Sequence, residues 1–115
     1  MSKKRFALRA EQIKPLAEGH GGCFATDMIT VDGRKVGYMY REEPDNDIDS
    51  GWRFLAGCES REYMDSPDNM GVYDVNTIAN YDREIIPLLN ARIGTAFQRD
   101  RRSGRFGEVE CPSPE

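Results

Sequence analysis

Apolar and polar residues alternate in short runs along this chain, and none of the runs holds a helical period long enough for a long helix. Over Arg9–Ala17, Ile13 and Leu16 are spaced to share a helical face, and Pro15 restricts the segment to a short or kinked helix. Gly19, Gly21 and Gly22 then break it. Cys23–Thr26 and Met28–Val31 read as extended, Asp32-Gly33 is a two-residue hairpin signal, and Val36–Tyr40 is the expected partner strand.

Glu42–Ser50 carries Pro44, Asn46 and repeated carboxylates with only Ile48 apolar, a composition that predicts a solvated loop. In Trp52-Arg53-Phe54-Leu55 the aromatic residues stand two apart and so fall on one face of a strand. Glu59–Met64 predicts one helical turn, Pro67-Asp68-Asn69 a bend, and Gly71–Val75 another strand. Asp74 is placed to cap a short helix through Ala79, Asp82 to cap a second one shortened by Pro87, and Ile93–Phe97 reads as the last strand.

The pattern predicts an α+β fold, a small mixed and largely antiparallel sheet of about four to six strands with short helices packed on one face. A single domain is expected over residues 1–98. Beyond it the chain turns charged and then Pro-rich, so residues 99–115 read as a mobile tail.

Two blocks of sequence, Gly51-Trp52-Arg53-Phe54 and Tyr73-Asp74-Val75-Asn76-Thr77-Ile78, are distinctive in combination. Ile29–Arg41 followed by Gly51-Trp52-Arg53-Phe54-Leu55-Ala56-Gly57, together with Val72-Tyr73-Asp74-Val75-Asn76-Thr77-Ile78-Ala79 and Ile85-Ile86-Pro87-Leu88-Leu89, resembles a bacterial domain family grouped with the immunity proteins of polymorphic toxin systems, as their thirty-third class. The resemblance runs from about Gly22 to Phe97. It implies a non-catalytic protein that binds and occludes a partner toxin.

Composition narrows the remaining classes. Lys and Arg number 16 against 20 Asp and Glu, a net charge of −4 that argues against nucleic-acid binding, since phosphate contacts require clustered cations. The cations lie towards the two ends of the chain, leaving the middle more acidic than the total. No apolar run approaches the ~20 residues that cross a bilayer, and no apolar leader opens the chain, so no membrane partner is expected and the expected compartment is the cytoplasm. Cys23, Cys58 and Cys111 are widely spaced without a CxxC pair, which indicates reduced thiols and neither a zinc ribbon nor a disulfide framework.

Each grouping that suggests chemistry has a plainer account. Asp45-Asn46-Asp47-Ile48-Asp49-Ser50-Gly51 has the look of a calcium loop, but counted from Asp45 the glycine falls at position seven instead of six, and Ala56 stands where the bidentate Glu belongs. His20 and Cys23 lack further ligands or an orienting group for metal or nucleophile work. Glu42 and Glu43 in an exposed loop make poor general acids at neutral pH. Gly19–Gly22 lacks the Lys-Ser/Thr ending of a phosphate loop. No catalytic residue, cofactor or metal site is therefore expected.

What remains is contact with another protein. The expected binding residues are Glu42, Glu43, Asp45, Asp47 and Asp49, which suit a toxin domain with a basic surface, and Trp52, which reads either as a binding hot spot or as a core aromatic. A regulatory or scaffold domain, homo-oligomeric or not, is the rival reading, and a small hydrolase or ligand-binding protein stands behind it.

Overall fold

The computed structural model describes residues 4–111. Six strands form one sheet: β1 (Gly22–Thr26), β2 (Tyr38–Arg41), β3 (Asp49–Leu55), β4 (Met70–Asp74), β5 (Ala96–Arg99) and β6 (Phe106–Val109), in the spatial order β4-β1-β3-β2-β5-β6. Only β1 and β3 run parallel; the other pairs are antiparallel. Three short helices, α1 (Asp27–Thr30), α2 (Arg61–Met64) and α3 (Val75–Tyr81), and three 3₁₀ segments complete an α+β architecture with a mixed sheet.

The register divides the sheet cleanly into two faces. One row crosses it as Gly71, Ala25, Phe54, Met39, Phe97 and Glu108, and its central members join Trp52, Cys23 and the apolar residues of the helices in a single core. Ile29 of α1, Val75, Ile78 and Ala79 of α3, and Ile85 and Leu89 supply the helical side of that core. Burying Phe54 or Ile78 there contributes roughly 2–3 kcal/mol each. The adjacent row, Val72, Phe24, Arg53, Tyr40, Ala96 and Val109, lies on the opposite face.

Both predicted caps form. The Asp74 carboxylate accepts from the Asn76 amide at 2.8 Å, and Asp82 accepts from the Glu84 amide at 3.1 Å to start the 3₁₀ segment Arg83–Leu88. Asp82 does more than cap. Its other oxygen accepts from the Val36 amide at 3.1 Å and pairs with the Arg99 guanidinium, so one fully buried carboxylate joins the helical layer to the start of β2 and to β5.

Three expectations are corrected. Met28–Val31 is not a strand: Asp27–Thr30 is a turn of helix that buries Ile29 and Thr30, and Gly33, at φ 77, ends it with its amide bonded to the Ile29 carbonyl at 3.0 Å. The Asp32-Gly33 pair is therefore a helix stop, and β2 pairs with β3 and β5 instead. Arg9–Ala17 forms only a 3₁₀ turn at Ala10–Gln12. The rest of that segment is held to α3 by Asn76 and Asn80, whose side chains bond the Lys14, Leu16 and Ala17 backbone at 2.7–2.9 Å.

The third correction concerns the chain beyond residue 98, where the sequence predicts a tail. Phe106–Val109 pairs with β5 as a hairpin, and the Arg99 guanidinium lies 4.3 Å from the centroid of the Phe106 ring. Its four residues are too short and too polar to announce a strand, and β6 forms because β5 offers an unpaired edge. Residues 112–115 of that expected tail lie outside the described residues.

Among the described residues no helix is long and apolar enough to cross a membrane.

Candidate protein-binding site

The acidic segment between β2 and β3 is held in shape by its own side chains. Asn46 Oδ1 accepts from the Ile48 and Asp49 amides at 2.9 and 3.0 Å, and Asp49 accepts from the Asp45 and Gly51 amides, both at 2.9 Å. The Ile48 carbonyl accepts from the Gly22 amide at 2.8 Å, and Ser50 Oγ donates to the Gly22 carbonyl at 2.6 Å, so the loop is fastened to the start of β1. Gly21 makes this approach possible. A Cβ there would lie 2.5 Å from the Ile48 carbonyl oxygen, and its φ of 96 suits glycine.

The six residues expected to meet a partner divide into three groups. Glu42 and Asp49 are engaged internally: Arg53 Nε donates to Glu42 at 2.5 Å, and its terminal nitrogens grip both Asp49 oxygens at 2.8 and 2.9 Å. Those hydrogen bonds from Arg53 hold the Asp49 carboxyl well below the usual carboxylate range. Glu43, Asp45 and Asp47 are exposed and belong to no ion pair among the described residues.

Trp52 forms the third group and corrects the surface reading. It is fully buried, stacks 6.0 Å from Phe54 and 6.5 Å from Phe97, and donates its indole N–H to the Leu89 carbonyl at 3.2 Å. It has no surface to offer a partner. A buried indole with its one donor satisfied is a core residue, and the alternation with Phe54 already carried that signal.

The charge is distributed in two poles. The carboxylate loop follows the end of β2, whereas the β5–β6 turn, with Arg101, Arg102 and Arg105 outside any ion pair among the described residues, lies by the antiparallel register at the start of β2. Negative and positive ends of the sheet therefore stand apart, an arrangement that orients a charged partner before contact.

Beside the acidic loop the face opposite the helices is apolar. Phe24, Ile48 and Val72 line a hollow of about 200 Å³ with Asp45 and Asn46 at its lip, and Phe24 and Val72 continue into a second hollow of about 410 Å³ with Pro67 and Met70. Ile48 is 77% exposed and Val72 71%, the two most exposed large apolar residues described. Sequence reasoning missed this surface. The signals were present: Ile48 is the lone apolar residue of the acidic loop, and Phe24 has the opposite parity to Cys23 and Ala25 on its strand.

The groupings that suggest chemistry are occupied otherwise. Cys23 is buried at 1% exposure, and burial pushes its thiol far above the ordinary value. The Asn46 and Asp49 oxygens that a cation would need are taken up by backbone amides and Arg53. Among the described residues no three His, Cys, Asp or Glu side chains converge as a metal site.

No curated protein and no solved structure matches the chain. The family model described as Immunity protein Imm33 domain matches residues 23–110, from the first core residue of β1 to just beyond β6. With more than half of its length matched, including five whole strands and all but the first residue of β1, the chain belongs to the Imm33 immunity protein family.

Proposed function

We propose that this protein works as an immunity protein by binding a toxin domain with a basic surface and occluding it, without catalysis of its own. The supporting observation is the acidic loop. On a chain of the immunity family, Glu43, Asp45 and Asp47 stand outside any ion pair among the described residues, on a loop that six backbone and side-chain bonds hold in place. A pre-ordered charged loop sacrifices little entropy on binding and speeds encounter with an oppositely charged surface. Glu42 and Asp49 act at one remove, by fixing the loop through Arg53. The compartment follows the same reading: a cytoplasmic protein that meets its toxin as it enters or is made.

The experiment is capture of the product of the adjacent gene by the full chain, followed by association kinetics with Glu43→Gln, Asp45→Asn and Asp47→Asn combined. The expected result is an association rate about tenfold lower at low salt, with the difference shrinking as salt rises. An unchanged rate removes the loop from the mechanism, and failure to capture any such product removes the toxin.

A further inference from the structure

Two observations about the face opposite the helices point to the same ligand chemistry. The first is its shape and polarity. Phe24 and Val72, paired across β1 and β4, form a floor shared by two adjoining hollows, and Ile48 rises beside them from the loop. Exposed apolar area of this kind, rimmed by polar groups, marks contact surfaces.

The second is the charge around it. The cation in the floor, Arg53, is withdrawn: its side chain is 3% exposed, its guanidinium lies 4.4 Å from the Phe24 ring centroid, and Glu42 and Asp49 together outweigh its charge. Asp45 at the lip and Asp47 next to Ile48 have no countercharge among the described residues. The trough thus offers apolar contact at its base and net negative charge at its edge.

We infer that this trough is the contact site for a partner segment that presents an aliphatic or aromatic side chain flanked by lysine or arginine. The apolar side chain enters between Phe24, Ile48 and Val72, and the flanking cations meet Asp45 and Asp47. Desolvated apolar contact at the centre governs how long the complex lasts, while the rim charges govern how fast it forms. This deepens the reading of the chain as a protein-binding immunity molecule and rests on it. It moves the centre of contact from the carboxylates to the apolar floor beside them.

The test titrates the isotope-labelled full chain with three synthetic peptides and follows backbone amide shifts. One peptide carries a leucine pair between lysines, the second replaces the leucines by serine, and the third replaces the lysines by glutamate. The expected result is shifts concentrated at Phe24, Ile48 and Val72 with the first peptide, and binding about tenfold weaker with either control. Ile48→Ser and Val72→Ser, both at exposed positions whose loss leaves the core intact, are expected to weaken the first peptide to a similar extent.

Shifts centred elsewhere, or an equal response to the serine peptide, overturn the inference. So does a concentration dependence of the same amides in the free chain, which would make a second copy the occupant. Capture of the adjacent gene product is read separately. A peptide seated in the trough without such capture removes the toxin and keeps the site, whereas capture unaffected by Ile48→Ser and Val72→Ser keeps the toxin and removes the site.

Discussion

Arg53 lies against the ring of Phe24, its guanidinium 4.4 Å from the ring centroid, and this contact places a cation inside the sheet without exposing it. The two residues stand in register on β1 and β3, the one parallel pair of the sheet. A desolvated stack of this type contributes on the order of 2 kcal/mol. It also makes the loop carboxylates part of the fold, because the buried charge requires Glu42 and Asp49.

Removing one of those carboxylates is therefore costly. Asp49→Asn is expected to lower stability by roughly 2–3 kcal/mol at neutral pH, read as the urea midpoint, because Arg53 keeps only Glu42 as an ionised partner. The same pair sets an acid dependence. The folded Asp49 carboxyl titrates below its unfolded value of about 3.9, so its stabilisation is complete above that value and is lost as pH falls towards the folded one. The midpoint of the unaltered chain should fall more steeply below about pH 4 than that of Asp49→Asn; parallel curves would refute the coupling.

Asp82, which is fully buried, is a second carboxylate with a structural duty. Asp82→Ala leaves the Val36 and Glu84 amides without their acceptor and Arg99 with Glu84 as its remaining carboxylate, at an expected cost of about 2–4 kcal/mol. Asp82→Asn retains one acceptor oxygen and should fall between the two. Chemical unfolding of the three proteins ranks them, and a neutral Asp82→Ala would contradict the role assigned here.

Two glycines with positive φ separate backbone strain from collision. At Gly51, φ 90, an added Cβ would fall against the Glu42 carbonyl oxygen, whereas at Gly104, φ 73, nothing lies within 4 Å. Gly104→Ala should cost about 1 kcal/mol from strain alone, and Gly51→Ala distinctly more. Thermal unfolding of both variants decides it; equal losses would mean that the β2–β3 connection is not closed as described.

The three thiols should react in a set order. Cys58 is exposed, Cys111 is half-buried with burial and then Glu42 raising its thiol above the ordinary value, and Cys23 is enclosed. Alkylation of the native chain at pH 8 followed by peptide mapping is expected to mark Cys58 first and Cys23 only after unfolding. Early labelling of Cys23 would show that the edge strand β4 opens away from β1.

Much of the fold was legible where a local cause suffices. Asp74 and Asp82 lie at the starts of short helical segments, and their carboxylates do there what short acceptors do for exposed amides. The stretches 23–26, 52–55 and 71–75 read as strands because alternation survives in short windows, and of these only Val75, which opens α3, is not strand. Met28–Val31 misled because four residues rich in β-branching fit either a strand or one helical turn, and burial of Ile29 against α3 decided the matter. Phe106–Val109 carried no signal of its own.

By itself the sequence determined the class of fold, the capped starts of its helices, the acidity of the loop before β3 and the family, all of which depend on residue type and near neighbours. Only the tertiary structure decided the strand order, the burial of Trp52, the pairing of Arg53 with Glu42 and Asp49, and the apolar trough of Phe24, Ile48 and Val72. Those features join residues of segments far apart along the chain. Which carboxylates remain available to a partner depends on Arg53 being buried against Phe24 of another strand, and local pattern does not encode that.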